Sequence, residues 1–396
     1  MTVPYWLDQS KQNPPIEADI AIIGGGIMGA SLLYWLSKHK DIKVILLEKS
    51  RLASAASGRN AGFLIAGLAE HYNRSREHLG KAKSKQIWQL SLDNHRLLRE
   101  EIIERNKLEC EYQKCGSYLL ACSEVESKEI KETVELLNQD GFEVELIDER
   151  KINQLLKSQR FHNACFSPKD GALNPVRLIE GIRAIIKSDT NIFEEHEVID
   201  LEMVENSKVK IRTNHRTFLA QMVVLATNAY SRSLFGVFKD LVIPTRGQIL
   251  ATEPVKEKLF DQKIVYADWG YEYFRQLLDG TILLGGFRQL YSDTEIGFSD
   301  ETTSEIQEGL YKFLIEHFPQ LNKIKITHRW AGVMGFSKDG LPLVGALPQA
   351  PFVISAVGFT GHGMGFAFGL AKGLAEYLTG GKTSYPLDIF SLKRVL

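Results

Sequence analysis

The pattern of apolar and polar positions near the start of the chain predicts two strands joined by a helix. Residues 20–23 are a short apolar run, residues 30–39 carry apolar positions at helical spacing, and residues 44–47 are a second apolar run. Short apolar runs bounded by glycine or charge indicate strands, and a repeat of about 3.6 residues indicates a helix. The order predicts a βαβ unit over residues 19–48.

Beyond this unit the chain predicts helices and strands in mixed order. Asn174 stands before Pro175, which is typical of a helix start because asparagine caps the first turn and proline fits its first position. The predicted helices cover residues 84–105, 127–139, 175–187, 303–318 and 367–378. The predicted strands cover residues 115–122, 208–213, 217–227, 249–251, 271–277 and 281–285.

The turn inside the first unit has the sequence Gly24-x-Gly26-x-x-Gly29, and the second strand ends on Glu48. This is the dinucleotide-binding fingerprint, in which the first glycine permits a tight turn, the second admits a pyrophosphate and the third lets helix and strand pack closely. The helix N-terminus offers N–H donors to phosphates. Glu48 can accept both ribose hydroxyls, which disfavours NADP and leaves NAD and FAD open.

Two further segments fit an extended ligand. Residues 49–63 are rich in small residues and carry Arg51 and Arg59, so backbone, hydroxyls and guanidinium groups can approach a flat ligand with phosphates. Residues 353–365 predict a strand, a glycine loop and a second helix N-terminus. A chain with two such helix starts can hold a long ligand; the alternative is that residues 358–365 form a surface loop.

Composition narrows the class of protein. The 396 residues can bury a large core, and the net charge of −1 without a basic run argues against nucleic acid as a partner. Residues 1–17 lack the pattern of a secretory signal, and His362 and Lys372 interrupt the apolar stretch 352–378, which argues against an integral membrane segment. Four cysteines without zinc-like spacing indicate a reduced, cytoplasmic compartment and no metal site.

Motifs over nearly the whole chain resemble those of the D-amino-acid oxidase (DAO) family of flavoproteins, in the branch of glycine oxidase, monomeric sarcosine oxidase and γ-glutamylputrescine oxidase. Besides the fingerprint and Glu48, they are residues 56–62, Asn174-Pro175, residues 224–230, Pro244-x-Arg246-Gly247-Gln248, and residues 279–286, 339–345 and 358–363.

The resemblance implies FAD rather than NAD and an α/β fold, with a Rossmann-like FAD-binding domain and an interleaved α+β substrate domain built on an antiparallel sheet. The FAD-binding domain is expected at residues 1–85, 150–235 and 325–396. The substrate-binding domain is expected at residues 86–149 and 236–324.

The resemblance also implies the reaction. Family members remove a hydride from the carbon next to an amine, the imine hydrolyses, and the reduced flavin usually passes its electrons to O2, giving hydrogen peroxide. The protein's part in such chemistry is to orient the substrate and tune the ring. An amine or amino-acid oxidase is therefore expected, with a small-molecule amine and O2 or another electron acceptor as partners. The alternatives are a dehydrogenase that passes electrons to a quinone or carrier protein, and a non-catalytic flavin-binding module.

The cofactor-contacting positions follow from matching the family motifs residue by residue. Gly361, His362, Gly363 and Met364 match the loop at the pyrimidine edge of the flavin, where a helix N-terminus stabilises negative charge. His362 is also the candidate proton carrier. The expected cofactor-binding residues are Gly24, Gly26, Ile27, Met28, Gly29, Glu48, Lys49, Ser57, Arg59, Asn60, Ala61, Gly62, Val198 (by its backbone, at the adenine), Thr227, Gly361, His362, Gly363 and Met364.

The chain departs from relatives at two kinds of position. Residues 330–336, where covalent members carry the flavin-linked cysteine, contain none, so the FAD is expected to be noncovalent. Gly365 stands where sarcosine-type members have a carboxylate-binding lysine, and the lysine that activates oxygen in those members has no counterpart near residues 281–285. A plain sarcosine oxidase and a fast reaction with O2 are both put in doubt.

Substrate-binding candidates lie on the predicted antiparallel strands. Arg275 alternates with Tyr271 and Tyr273, so the three side chains are expected on one face of the sheet. An arginine framed by tyrosines suits a substrate carboxylate. Arg275 is the first choice for this role and Arg288 the second; the alternative is a surface arginine on a half-exposed strand.

Overall fold

The computed structural model describes residues 14–186, 191–204 and 208–396. Within these residues the chain forms two eight-stranded sheets and one two-stranded ribbon. The strands are β1 (Ile16–Ile23), β2 (Val44–Leu47), β3 (Phe63–Leu64), β4 (Ser117–Leu120), β5 (Glu145–Ile147), β6 (Ala164–Ser167), β7 (Gly171–Ala172), β8 (Ile192–Phe193), β9 (Val198–Val204), β10 (Lys208–Thr213), β11 (Thr217–Leu225), β12 (Val242–Thr252), β13 (Ile264–Ala267), β14 (Glu272–Gln276), β15 (Ile282–Gly285), β16 (Ile326–Ser337), β17 (Leu343–Leu347) and β18 (Ala350–Val357). The helices are α1 (Ile27–Leu36), α2 (Ala56–Arg59), α3 (Tyr72–Leu79), α4 (Lys81–Leu97), α5 (Glu124–Gln139), α6 (Glu149–Leu156), α7 (Pro175–Ile186), α8 (Ser231–Leu234), α9 (Phe238–Leu241), α10 (Ser304–His317) and α11 (Gly363–Gly380).

The first sheet has the order β17-β18-β11-β1-β2-β8, with β10 and β9 added antiparallel beside β11. Its centre is parallel, as β1 pairs in parallel with both β11 and β2, and β11 with β18. Alternate residues of β1 enter different cores: Ile20 and Ile22 face α1, α4, α7 and α11, whereas Ala21 and Ile23 face the opposite side. Because both faces are covered there, residues 20–23 of β1, all of β2 and residues 222–225 of β11 are continuous apolar runs, as is typical of a parallel sheet.

The second sheet has the order β16-β12-β15-β14-β13-β4-β6-β5 and is antiparallel except where β13 pairs with β4. One face packs Leu250, Phe274 and Leu284 against the apolar side of α10. The other face packs Ile249 and Tyr273 with residues of the segment that follows α2. This second face therefore looks toward the first sheet, and the space between them can hold a ligand. The predicted α/β fold with two sheet systems is confirmed.

Several element bounds differ from the sequence prediction. Helix α1 begins at Ile27 and α11 at Gly363, each earlier than predicted, because glycines in the first turn hide the apolar repeat. Helix α4 continues into a π-helical segment, Leu98–Glu104. The predicted end of α7 at Lys187 and the segment 1–13 lie outside the described residues.

Several segments lie elsewhere than the predicted domain division. Strand β16 pairs with β12 in the second sheet, although residues 325–396 were expected in the FAD-binding domain. Strand β6 pairs with β4 and β5 in the second sheet, although residues 150–235 were expected in the FAD-binding domain. Helix α4 spans the predicted boundary at residue 85, and its residues Ile87, Leu90 and Leu97 belong to the core below the first sheet. Local patterns do not reveal which distant strand or helix a segment packs against, and the remaining boundaries stay a prediction.

No helix within the described ranges is long and apolar enough to cross a membrane. All four cysteines lie in described parts of the chain and are free thiols.

Candidate active site

The glycine turn after β1 has the geometry of a phosphate-binding loop. Gly24 has a φ of +111°, which only glycine adopts readily. A Cβ on Gly29 would lie 1.9 Å from the carbonyl oxygen of Gly24, so only glycine lets α1 start this close to β1. One carboxylate oxygen of Glu48 accepts the N–H of Gly25 at 2.7 Å, and the other accepts the N–H of Ser50 at 2.9 Å. Glu48 thus lies beside the turn, where a ribose would follow a bound pyrophosphate.

The segment after α2 is locked by its own hydrogen bonds. The Ser57 hydroxyl accepts the N–H of Ile27 at 2.9 Å, which joins the segment to the start of α1. The side chain of Asn60 donates to the carbonyls of Ala56 and Ser57, and its oxygen accepts the N–H of Gly62. These bonds fix the backbone of residues 57–62 as one wall of the site.

Arg59 is held differently from the expectation that its guanidinium meets phosphates. It donates to the carbonyl oxygens of Ser54 at 3.0 Å and Ala331 at 2.7 Å, and it pairs with the carboxylate of Asp300 at 3.1 Å. Its donors are therefore engaged by protein groups on three sides. Arg59 lines the cavity, but it links three segments of the chain around it.

The glycine loop before α11 is shaped by left-handed backbone and by two asparagines. Thr360 and Gly361 have φ values of +48° and +80°. The side-chain oxygen of Asn228 accepts the N–H groups of Gly358 and Phe359 at 2.9 and 3.3 Å. On the other side, Asn94 donates to the carbonyl of Met364 at 3.0 Å. These contacts aim the N-terminus of α11 into the space between the two sheets.

One cavity joins these parts and encloses about 1320 Å³ of space, counting the part open to solvent. It brings together Gly26, Ile27 and Met28 at the start of α1, Ser57, Arg59, Asn60 and Ala61 of the locked segment, and Gly361, His362, Gly363 and Met364 at the start of α11. Of the predicted substrate residues, Tyr273 and Arg288 line it.

The donors around this cavity fit a dinucleotide. Two helix N-termini face the same space, and each offers N–H groups and partial positive charge to an anion or to an electron-rich ring edge. The Nδ1 atom of His362 is buried without a hydrogen-bond partner. The residues present thus suit a long ligand with phosphates at the α1 end and a polar ring edge at the α11 end.

The other predicted residues lie beside the cavity or further away. Gly24, Gly29, Glu48 and Gly62 do not line it. Lys49 lies with its ammonium nitrogen 3.8 Å from the ring centre of Tyr230, and the Thr227 hydroxyl bonds that of Ser231 at 2.7 Å. Val198 begins β9, two residues after His196, whose N–H donates to the carbonyl of Glu48. Its contact with adenine stays a prediction.

The substrate side of the cavity is aromatic with a single cation. The rings of Phe63, Tyr266 and Tyr273 meet one another edge to face, with centroids 5.6 to 6.2 Å apart. The Arg288 guanidinium lies 5.0 Å from the ring centre of Tyr271 and 5.3 Å from that of Phe336. Arg288 forms no ion pair with any described residue, so its charge is available to a ligand.

Burial sets the protonation of the polar groups here. Burial, together with the charge of Arg288, lowers the pKa of His362 to about 4, so this imidazole is neutral at neutral pH. Burial raises the pKa of Tyr273 to about 12 and that of Tyr266 further, so both hydroxyls stay protonated. With this pKa His362 is a weak base that can accept a hydrogen bond but does not supply positive charge, and its role as proton carrier stays a prediction.

The structure does not place Arg275 where it was expected to bind a substrate carboxylate. Arg275 does alternate with Tyr273, but it is only 3% exposed and does not line the cavity. Its guanidinium donates to the carbonyl oxygens of Ala61, Gly62 and Leu173 at 3.2 to 3.3 Å. Strand alternation predicts the face on which a side chain lies, not whether another segment covers it. Arg275 supports the wall formed by residues 61–62 from behind.

Other cavity residues do not follow from the sequence pattern. Tyr266 lies on β13, a strand that the sequence does not predict, and Met334 and Phe336 line the cavity from β16. Asn228 could have been found, because a polar residue directly after the predicted strand 217–227 lies at the carboxyl end of a parallel sheet, where ligands bind.

The departures from relatives have structural counterparts. The cavity lining contains no cysteine and no lysine. A Cβ on Gly365 would lie 2.6 Å from the carbonyl oxygen of Ile65, so a longer side chain there needs a backbone shift. Among the described residues, no group of three or more His, Cys, Asp or Glu side chains is placed to hold a metal ion.

The fold and site together define an FAD-dependent oxidoreductase. The family model "DAO: FAD dependent oxidoreductase" matches residues 19–377, so the chain belongs to this family. The family and the cofactor expected from the sequence are thereby confirmed.

Similar proteins agree with this assignment. A probable oxidoreductase OrdL of Haemophilus influenzae is 28% identical over 392 residues, covering 95% of this chain and 88% of the relative. The gamma-glutamylputrescine oxidoreductase of Escherichia coli is 24% identical, covering 93% and 85%. The crystal structure of glycine oxidase from Geobacillus kaustophilus matches with a TM-score of 0.79 at 23% identity, covering 96% of this chain and 99% of that one. At this identity the structural likeness shows the fold.

Denaturation is expected to release the flavin completely. Because no thiol lines the cavity, we expect precipitation of the yellow protein with acid to leave all flavin absorbance in the supernatant. Absorbance at the flavin maximum, read in supernatant and redissolved pellet, measures this. Yellow colour that stays with the washed pellet would contradict the prediction of noncovalent FAD.

Proposed function

We propose that this protein oxidises the C–N bond of an amine or amino acid that carries a carboxylate, giving an imine that hydrolyses in water. The observation that carries the proposal is Arg288, an unpaired guanidinium at the aromatic end of the cavity. Its neighbours Tyr271 and Phe336 contact it through their rings, and none of its N–H groups donates to a described residue, so these donors are left for a ligand. A guanidinium edge binds a carboxylate through two parallel hydrogen bonds.

The roles of the other residues follow from their chemistry. FAD, when bound, supplies the acceptor for the hydride. The aromatic cluster of Phe63, Tyr266 and Tyr273 excludes water and presents ring faces on which an amine can lie. His362 is neutral and can accept a hydrogen bond from the substrate. The N-terminus of α11 stabilises negative charge that develops at its end of the cavity.

The names of the relatives support a substrate that carries an amine and a carboxylate, but they do not identify the compound. The relatives and structures include enzymes named for γ-glutamylputrescine, sarcosine and glycine. Two cationic side chains line the cavity of this chain, and no carboxylate does. Arg59 is engaged by protein groups, so Arg288 is the cation left for a ligand. We therefore prefer an amino acid with an apolar side chain, rather than a diamine or polyamine, as the substrate.

A panel of matched amines tests the proposal. The holoenzyme is mixed anaerobically with an amino acid or with the matching amine that lacks the carboxylate. Loss of the flavin absorbance band at about 450 nm is followed in each case. We expect bleaching by at least one carboxylate-bearing amine and slower bleaching by its partner. If the partners are equally fast, the carboxylate assignment fails; if no amine bleaches the flavin, the proposed activity fails and a non-catalytic module is supported.

The electron acceptor is a separate part of the proposal. We propose O2, with hydrogen peroxide as product, and the alternative is a quinone or carrier protein. One observation favours the alternative, since no lysine lines the cavity, whereas sarcosine-type relatives use one for oxygen. Peroxide release under air, compared with turnover on an artificial acceptor such as a soluble quinone, distinguishes the two.

A further inference from the structure

The turn between β13 and β14 has a strained backbone and forms part of the cavity wall. Asp268, Trp269 and Gly270 have φ values of +49°, +53° and +79°. Non-glycine residues rarely adopt this conformation, and two in succession persist only where the surroundings hold them. Gly270 lines the cavity, and the turn connects Tyr266 to Tyr271. Whatever holds this turn also holds the substrate-side wall.

The buried carboxylate of Glu126 holds the strained turn. Glu126 in the first turn of α5 is 0% exposed. One of its oxygens accepts the backbone N–H of Trp269 at 2.5 Å, and the other accepts the N–H of Cys122, just after β4, at 2.8 Å. Backbone N–H bonds to an ionised carboxylate are shorter and stronger than those to a neutral oxygen. Glu126 therefore connects the end of β4 to the strained turn.

Further contacts surround the turn. Glu129, one helical turn along α5, accepts the indole N–H of Trp269 at 3.0 Å and pairs with Arg74 of α3. On the opposite side, the amide of Gln289 donates to Asp268 at 3.1 Å and to Glu272 at 2.8 Å. Gln289 directly follows Arg288, so the hydrogen bonds that hold the turn also hold the residue next to the carboxylate-binding candidate.

We propose that Glu126 is a positioning residue that holds the turn Asp268–Gly270, and through it Tyr266, Tyr271 and Arg288, in the arrangement that receives substrate. The role of Arg288 in this statement rests on the proposed function. The hold on the turn rests only on the contacts of Glu126 and on the strained backbone.

The titratable groups around Glu126 make this hold pH-dependent. Burial raises the pKa of Glu126 to about 7. His71, whose Nε2 lies 3.7 Å from Glu126, has a pKa lowered by burial to about 4, and burial raises the pKa of Cys122 above its usual range. Against the effect of burial, hydrogen bonds from Arg74 and Trp269 lower the pKa of Glu129. Asp268 faces Glu126 from the turn itself.

Only one other group of this network titrates near neutrality. Glu272 on β14 is buried, and burial raises its pKa to about 8. Below pH 7, Glu126 is protonated and loses the charge that strengthens its bond to Trp269. The turn is therefore expected to loosen as the pH falls through about 7. The experiment must distinguish the titration of Glu126 from that of Glu272.

A spectroscopic titration tests the hold on the turn without any substrate. The holoenzyme is labelled with 5-fluorotryptophan, and the ¹⁹F resonance of Trp269 is identified by its loss in Trp269→Phe. We expect this resonance to titrate near pH 7 in the wild type and in Glu132→Gln, an exposed control on α5. In Glu126→Gln it is expected not to titrate, because the amide cannot ionise.

Three outcomes overturn the proposal. The first is a Trp269 resonance that does not change between pH 5.5 and 8.5, about 1.5 pH units on either side of 7. The second is a titration of this resonance that persists in Glu126→Gln. The third is a titration that persists in Glu126→Gln but disappears in Glu272→Gln. The wild-type titration stands even if a variant does not fold. Because substrate is not present, a failure here is distinct from a failure of the proposed function.

Kinetics provide the second readout once a substrate is known. The variant Glu126→Gln loses one charge-assisted hydrogen bond. We therefore expect it to raise the substrate concentration for half-maximal flavin reduction about tenfold and to leave the limiting rate nearly unchanged. That concentration is expected to fall with rising pH through 7 in the wild type and Glu132→Gln, and this change near pH 7 is expected to be absent in Glu126→Gln. A lost limiting rate with unchanged half-saturation contradicts a positioning role.

Discussion

Replacing Arg288 by alanine is expected to abolish efficient use of a carboxylate-bearing substrate while leaving FAD in place. The guanidinium is half-buried, stacked on aromatic rings and unpaired in the described structure. Loss of a partly buried bidentate contact to carboxylate costs about 2–5 kcal/mol, which is tens- to thousands-fold in the efficiency of flavin reduction. Anaerobic stopped-flow reduction across substrate concentrations measures it.

A matched control separates this effect from a general change of charge. Arg329 is an exposed arginine on β16 outside the cavity, and Arg329→Ala is expected to behave as the wild type. The amine without a carboxylate is expected to react equally with wild type and Arg288→Ala. Unchanged kinetics of Arg288→Ala with the carboxylate substrate would sink the assignment, and loss of FAD would show that Arg288 supports the cofactor instead.

The second large effect concerns the glycine turn. In Gly29→Ala the new Cβ would lie 1.9 Å from the carbonyl oxygen of Gly24, a backbone atom that cannot move without displacing α1 from β1. Such overpacking costs about 1–3 kcal/mol and displaces the glycine turn from α1. If the same free energy is lost from FAD binding, the affinity falls about five- to a hundredfold. We expect a protein purified largely without flavin, measured by the ratio of flavin to protein absorbance and by titration with FAD.

A second substitution keeps this prediction testable if Gly29→Ala does not fold. Gly26→Val directs its side chain toward the Ser57 hydroxyl, 2.8 Å from the Cβ position, where the phosphate approach lies. Gly236→Ala is the control, because no heavy atom lies within 4 Å of its Cβ position. A folded Gly26→Val protein with stoichiometric FAD would remove this loop from the cofactor site.

The amino-acid sequence by itself determined the cofactor end of the site. The glycine turn, Glu48 and the second glycine loop are local patterns, and each works through backbone geometry within a few residues of itself. Gly24 and Gly361 adopt positive φ values. Such constraints are written in residue type and spacing, so a linear pattern is enough to recognise them.

The substrate end was decided by tertiary structure. Arg275 and Arg288 are both arginines of the second sheet region, and the sequence ranks Arg275 first because it alternates with tyrosines. Three backbone carbonyls from residues 61, 62 and 173 cover Arg275, more than a hundred positions away along the chain. Only the packing of one segment on another determines which guanidinium remains free for a ligand.

The strained turn shows the same limit. No local signal at Asp268–Gly270 predicts three successive positive φ values, because two of the residues are not glycine. The conformation depends on Glu126, some 140 residues earlier, whose carboxylate reaches the turn through the pairing of β4 with β13. Residue type and spacing determined the glycine turns that are predicted to bind phosphates. The non-local contacts decided which side chains line the cavity, because burial and hydrogen-bond partners are properties of the assembled chain.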